Sequence, residues 1–241
     1  MKRIGMLTPS SNTILEPETF AMLSALPDVS VHFGRFSVTE ITLSDKGVGQ
    51  FDIEPMLTAA RLLAEAKVDC IIWNGTSAGW LGEDSDAQLC ASISQETGIP
   101  CSSVVLGQRE LFRRLGVHAI NLVDPYTEDV NAAIQRTFGA MGTTVAGWSS
   151  FNEHVNWNFS QFTRSQIKAK VQELMQQHPD ADGIYAFCTN MKAADLAIWA
   201  EGRYGIPFID STALAVWEAL RVIEYPNADR LAQQWGTMFN A

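Results

Sequence analysis

The feature that most constrains this chain is a strict alternation of two hydrophobic periods, met twice. "RIGML" is a short apolar run of strand length, followed by a polar turn and an amphipathic run from Glu16 to Leu26. "VSVHFGRFSV" is strand-like, "IEPMLTAARLLAEA" has the three-and-four spacing of a helix, "DCIIW" is a buried strand, and "DAQLCASISQETG" is a helix stopping at Gly98. The second half repeats the order. It runs through "RELFRRLG", "HAINLV", "DPYTEDVNAAIQRTFGAMG", "TVAGWSSF", "RSQIKAKVQELMQQH", "GIYAF", "MKAADLAIWAEGRYG" and "IPFID". Strands that alternate with helices predict a parallel sheet covered on both faces. Three landmarks pair between the halves: Pro9 with Pro125, Gly75 with Cys188, and Gly98-Ile99-Pro100 with Gly205-Ile206-Pro207, at offsets of 116, 113 and 107 residues. The expected fold is therefore α/β, built from two similar Rossmann-like units. Residues 1–107 with 208–241 are expected to form the first and 108–207 the second.

In open α/β sheets, ligands bind beyond the carboxyl ends of the strands. The polar clusters lie there: "TPSSN" with Pro9, Ser10 and Asn12, then "NGTS", "DPYT" and "CTN". Two such units face to face would build one cleft from all four. The stretch "FNEHVNWNFSQF", which includes Asn156, is the most irregular and reads as a lid or a ligand-facing loop.

Bulk properties narrow the partners. The formal charge is −10 and no Lys/Arg run occurs, which argues against nucleic acid and against anionic membrane. No apolar run reaches the length of a membrane span, and the N-terminus lacks an apolar signal-peptide region. The four cysteines form no CxxC pair and no histidine lies at metal spacing, so a metal site is not expected. A cytoplasmic protein with reduced thiols is the default.

Of the cysteines, Cys70 and Cys90 lie inside apolar runs, and Cys101 follows Pro100 near a strand start. Cys188 alone adjoins a polar turn, at a predicted strand-to-helix junction. There, free N–H groups and the helix dipole would favour the thiolate; the bland reading is a small residue closing a strand. Thr76, Ser77, Thr189 and Asn190 read equally as helix caps or as a carboxylate cradle. Tyr126 reads as a further donor or as a packing aromatic. Trp73 and Trp80 flank the "NGTS" turn, and one of them is expected to line a pocket. "GTSAG" matches the GxSxG elbow of serine hydrolases, yet no oxyanion loop precedes it and its proposed histidine partners, His154 and His178, carry no signature. Asn12 reads as a cap, and Arg35 as a surface ion pair or a clamp on a second carboxylate.

Taken in order, "IGMLTPSSNTILEPE", "NGTS", "DPYTEDVN", "DGIYAFCTN" and "GIPFIDSTALAVWEALR" resemble the Asp/Glu racemase superfamily over nearly the whole chain, in particular its maleate isomerase and arylmalonate decarboxylase branches. The resemblance implies two pseudo-symmetric α/β units, a site between them, and no cofactor or metal. Racemases and isomerases of this kind carry one cysteine in each half. This sequence resembles the isomerases at Asn12, Arg35 and Cys188 to Asn190, but departs from them at Gly75, where their first thiol would stand. It resembles the decarboxylases at Gly75 and Cys188, at the "GTS" continuation and at Tyr126, and departs from them at "PSSN" and Arg35.

The chemistry of a single thiol agrees with decarboxylation. Two-base racemisation needs groups on both faces of a carbanion, and Gly75 supplies none. Loss of CO₂ makes the carbanion without removing a proton. It needs donors for the enediolate (Thr76, Ser77, Tyr126) and one acid, Cys188. On this reading, Gly75 keeps space free for the departing carboxylate or the α-substituent. The expected activity is cofactor-independent decarboxylation of a substituted malonate or related dicarboxylate. The alternatives are a maleate-type isomerase or racemase and, third, a non-catalytic carboxylate-binding protein. Units of this kind often pair through apolar surface, so a homo-oligomer is among the expectations.

Overall fold

The computed structural model describes residues 1–241. Eight strands form two four-stranded sheets in which every pairing is parallel. The first holds β1 (Lys2–Pro9), β2 (Val29–Phe36), β3 (Cys70–Trp73) and β4 (Cys101–Ser103) in the order β2-β1-β3-β4. The second holds β5 (Ala119–Asp124), β6 (Thr144–Ser150), β7 (Gly183–Ala186) and β8 (Phe208–Asp210) in the order β6-β5-β7-β8. The same permutation in both halves makes them two copies of one α/β unit. Parallel neighbours require helical crossovers, which bury both faces of a central strand. Accordingly, all four residues of β3 and all four of β7 are buried. Gly98 and Gly205 end equivalent helices, Glu83–Thr97 and Ala197–Tyr204, in the left-handed conformation at φ +70° and +71°. Each releases the chain into an Ile-Pro step and an edge strand.

The two units are interlocked by their last helices. Helix Ser211–Val222 leaves β8 and packs on β3 and β4 of the first sheet, where the Cys70 thiol lies 3.9 Å from the Ala219 carbonyl. Helix Val104–Leu115 leaves β4, and its Phe112 meets Tyr185 of β7 edge-on at 5.6 Å. The boundary expected at 207/208 falls ahead of β8, which hydrogen-bonds to β7, so the second sheet runs on through Asp210. Only from Ser211 does the chain return to the first unit.

In both sheets, the connections leave the first strand in one direction and the third in the other. The crevices between β1 and β3 and between β5 and β7 are thus the switch points where such folds place ligands. The segment after β2 roofs this region. Ile41 donates to the His154 carbonyl (2.7 Å), Asn156 donates to the Thr39 carbonyl (2.9 Å), and Glu40 and Val155 form an antiparallel bridge. The irregular stretch after β6 is therefore pinned over the strand ends, with Asn156–Gln161 as a 3₁₀ turn. No helix is long and apolar enough to cross a membrane.

Candidate active site

The four polar turns converge and are stitched across the two units. Thr76 and Tyr126 share a hydroxyl–hydroxyl hydrogen bond of 2.7 Å. The Thr189 hydroxyl donates to the Asn74 carbonyl (3.1 Å) and accepts from the Asn12 amide (3.2 Å). The Asn190 side-chain oxygen accepts from the backbone of Thr13 (2.9 Å) and Ile14 (3.3 Å), while its amide donates to the Asn156 carbonyl (2.6 Å). Asn156 in turn donates to Ser11 Oγ at 2.7 Å. All of these bonds are buried or part-buried, and several join segments more than a hundred residues apart, so they fix the turns relative to each other.

Between the turns lies a small chamber of about 20 Å³, lined by Pro9, Val38, Ile41, Phe51, Trp73, Gly75, Thr76, Ser77, Trp80, Tyr126, Asn156, Cys188 and Thr189. That is room for about one water molecule. Of the residues expected at the site, Pro9, Gly75, Thr76, Ser77, Tyr126, Asn156, Cys188 and Thr189 line it. Asn12 and Asn190 stand behind them as buried braces.

Ser10 and Arg35 are elsewhere. Ser10 is exposed, and its hydroxyl accepts from Val38 N at 3.2 Å. Arg35 pairs with Glu16 (2.7 Å) and donates to the Ser10 and Asn12 carbonyls (2.9 and 3.0 Å). Its guanidinium thus fixes the turn after β1 from outside, because a carboxylate of its own chain already takes up its charge. Of its two expected readings, the structure has the ion pair, which braces the turn, rather than a clamp on a substrate.

Cys188 is 3 % exposed and follows β7 by two residues. It does not start a helix, contrary to expectation: Ala194–Leu196 is a 3₁₀ turn and the α-helix begins at Ala197. The side chains that would have capped a helix at this point, Thr189 and Asn190, are spent on bonds to the other unit. Burial pushes the Cys188 thiol up to about 12. The Asn190 N–H (3.3 Å from Sγ) and the Tyr126 hydroxyl oppose the shift, and the buried Asp124 and Asp210 add to it. The thiol is therefore held protonated, the reverse of the thiolate that a helix end would favour. Burial likewise holds Tyr126 well above the usual phenol range, so its hydroxyl remains a donor. The Tyr126 ring is fixed edge-on by Trp80, Phe159 and Phe187 at 5.2, 5.7 and 6.3 Å, and its N–H by Asp124 at 2.8 Å.

Gly75 corrects a further expectation. Its side-chain position is not empty space, because a Cβ there would fall inside the indole of Trp73, against Cζ2, Cε2 and Cη2. No histidine lines the chamber, and His154 sits beside Glu153 at 3.6 Å, so Ser77 lacks the base that a hydrolase needs. None of the backbone N–H groups of Gly75, Thr76, Ser77, Cys188 and Thr189 is used in a hydrogen bond within the chain. Successive free amides of this kind suit an anion. Sequence reasoning missed the apolar roof of Val38, Ile41 and Phe51. The roof comes from an irregular segment whose position is set by its contacts with residues 154–156.

Comparison with known proteins agrees with this architecture. The arylmalonate decarboxylase family model matches residues 4–239. The chain is 24% identical over 220 residues to the arylmalonate decarboxylase of Bordetella bronchiseptica, covering 91% of this chain and 89% of that one. It is also 24% identical over 246 residues to the maleate isomerase of Nocardia farcinica, covering 97% and 96%. Among solved structures, the Nocardia farcinica maleate cis-trans isomerase bound to TRIS superposes with a TM-score of 0.88 at 22% identity, over 99% of this chain and 98% of that one. A crystal structure of arylmalonate decarboxylase gives 0.80 at 21% identity, over 99% of both.

Proposed function

The chain belongs to the arylmalonate decarboxylase family, and from that membership we propose that it is a cofactor-independent decarboxylase of a substituted malonate or related small dicarboxylate. The observation that carries the reading is the single buried thiol of Cys188 in a chamber whose opposite turn offers a glycine and hydroxyl donors. One carboxylate is retained against the free amides and hydroxyls of the two turns. The bond from the α-carbon to the other carboxylate breaks, CO₂ leaves, and the electron pair spreads into the retained carboxylate as an enediolate. Thr76, Ser77 and Tyr126 donate to its oxygens. Such preorganised donors matter most where charge develops, and one of them is typically worth about 10²–10³ in rate. The S–H bond of Cys188 then gives its proton to the α-carbon, and the thiolate regains a proton from solvent. A thiol held protonated by burial is suited to donate and poorly suited to attack, which favours this sequence over addition to a double bond.

The second reading is cis–trans isomerisation of a small dicarboxylate, supported by the equal identity to a maleate isomerase. The deciding experiment is CO₂ release from a panel of malonates and dicarboxylates, with Cys188→Ala alongside. Release by the wild type, reduced about 10²–10⁴-fold in the variant, is expected for a single proton donor. Isomer formation without CO₂ would transfer the assignment to the isomerase. Tight binding with neither product would leave a carboxylate-binding protein.

A further inference from the structure

A chamber with room for one water cannot hold a dicarboxylate, so some wall must yield. The wall over Gly75 is the indole of Trp73, and a second cavity lies directly behind it. This outer cavity measures about 210 Å³ and is lined by Phe51, Ile53, Met56, Leu81 and Leu89, with Ser77 and Asp86. Trp73, Phe51 and Ser77 line both spaces, so the indole is the partition between them. An apolar cavity of about 150 Å³ accepts a benzene ring, so the outer cavity has space for the swinging edge of an indole. Two buried polar atoms mark the same wall. Trp73 Nε1 and Asp86 Oδ2 already lie close enough for the indole N–H to oppose the burial-driven rise in the Asp86 pKa, yet neither reaches full hydrogen-bond geometry. Each carries a desolvation penalty that a small turn of the ring about this contact would reduce. The ring is otherwise held by tilted and edge contacts with Phe36 (5.2 Å) and Phe51 (6.4 Å).

We propose that Trp73 is a movable wall and the residue that sets how large a group the site admits: on substrate binding its indole withdraws from above Gly75 into the outer cavity, keeping its Nε1–H toward Asp86. This rests on the Cys188 chamber being the substrate site, but not on which reaction occurs there. Space beside Gly75 is then gained only at the expense of the outer cavity. Filling a cavity that no substrate enters should close the site.

The test is the rate at which methyl methanethiosulfonate labels Cys188, followed by mass spectrometry of its peptide. The reagent is larger than water, so labelling reports the room made in the chamber. Trp73→Leu is expected to label at least tenfold faster than wild type. Ser85→Trp and Ile53→Trp, at the half-buried and exposed rim of the outer cavity, are expected to label at least tenfold slower. Either rim variant serves if the other misfolds. The double variant Ser85→Trp/Trp73→Leu should label as fast as Trp73→Leu alone. Rim variants that label at the wild-type rate, or a double variant as slow as Ser85→Trp, would overturn the proposal. Absence of CO₂ release with this labelling pattern intact removes the decarboxylase reading alone; CO₂ release without the pattern removes the movable wall alone.

Discussion

Replacing Tyr126 with phenylalanine deletes one oxygen from the centre of the site and leaves its packing in place. The ring keeps its edge-on contacts with Trp80, Phe159 and Phe187. What is lost is the 2.7 Å bond to Thr76, whose own hydroxyl has no other partner within the chain, together with the contact by which the Tyr126 hydroxyl opposes the rise in the Cys188 pKa. An orphaned buried hydroxyl costs about 1–3 kcal/mol, so Tyr126→Phe should lower the unfolding free energy by that amount in urea titrations. The same oxygen is assigned to the enediolate. Its removal should also slow CO₂ release about 10²–10³-fold, or roughly 2.7–4 kcal/mol of barrier. Thr76→Val removes the other end of the bond. In the double variant neither oxygen remains to be orphaned, so the stability losses should fall short of additivity by about 0.5–3 kcal/mol. Additive losses would mean that the two hydroxyls are not bonded in solution. A full-speed Tyr126→Phe enzyme with the expected stability loss would remove Tyr126 from the oxyanion pocket and leave it a structural role.

Two further outcomes follow from burial and from packing. The folded-state pKa of Cys188 is raised, so the stability it contributes is complete below the unfolded thiol value of about 8.5 and is lost as pH climbs towards about 12; the stability advantage of wild type over Cys188→Ala should shrink from pH 7 to pH 10. The acid form likewise persists, so turnover should show no alkaline limb near pH 8.5, and a limb there would refute the protonated thiol. Gly75→Ala places a methyl group inside the Trp73 indole and should cost about 1–3 kcal/mol by overpacking, recovered in part by Trp73→Leu. A neutral Gly75→Ala would mean that the ring moves off Gly75 at no cost.

Much of the fold was legible because it depends on local periodicity. Apolar runs such as "CIIW" and "GIYA" are buried on both faces, as central parallel strands must be, and the paired Gly-Ile-Pro steps mark equivalent helix ends in both units. The turns that build the site were legible for the same reason: in this topology strand ends are ligand sites. The return of the chain to the first unit was expected from residue 208; the three residues of β8 belong to the second sheet because they pair with β7, a contact that so short an apolar run does not announce. Arg35 and Asn190 each had two readings that sequence alone left open. Glu16 takes up the charge of the one, as its ion-pair reading had it, and Thr13, Ile14 and Asn156 use the hydrogen-bonding groups of the other. Which polar group is left over for a ligand depends on partners brought together from the far half of the chain.

The asymmetry between Gly75 and Cys188 was visible as a contrast of two letters, yet its physical content lay two residues upstream. Side chains at i and i+2 of an extended segment share a face. A tryptophan at position 73 and a glycine at position 75 are therefore a single feature: the large ring leans over the position that the glycine leaves bare. In the second unit the equivalent stretch is Ala186, Phe187 and Cys188, with a small residue two positions before the thiol, and there the side chain at the turn itself occupies the chamber. The two halves thus fill the same kind of space in opposite ways, one with an indole from the strand and the other with a thiol from the turn. Only the second arrangement offers a proton. The first places no acid on the opposite face, so the one-sided chemistry proposed here is set by Gly75, with Trp73 closing that face until substrate enters.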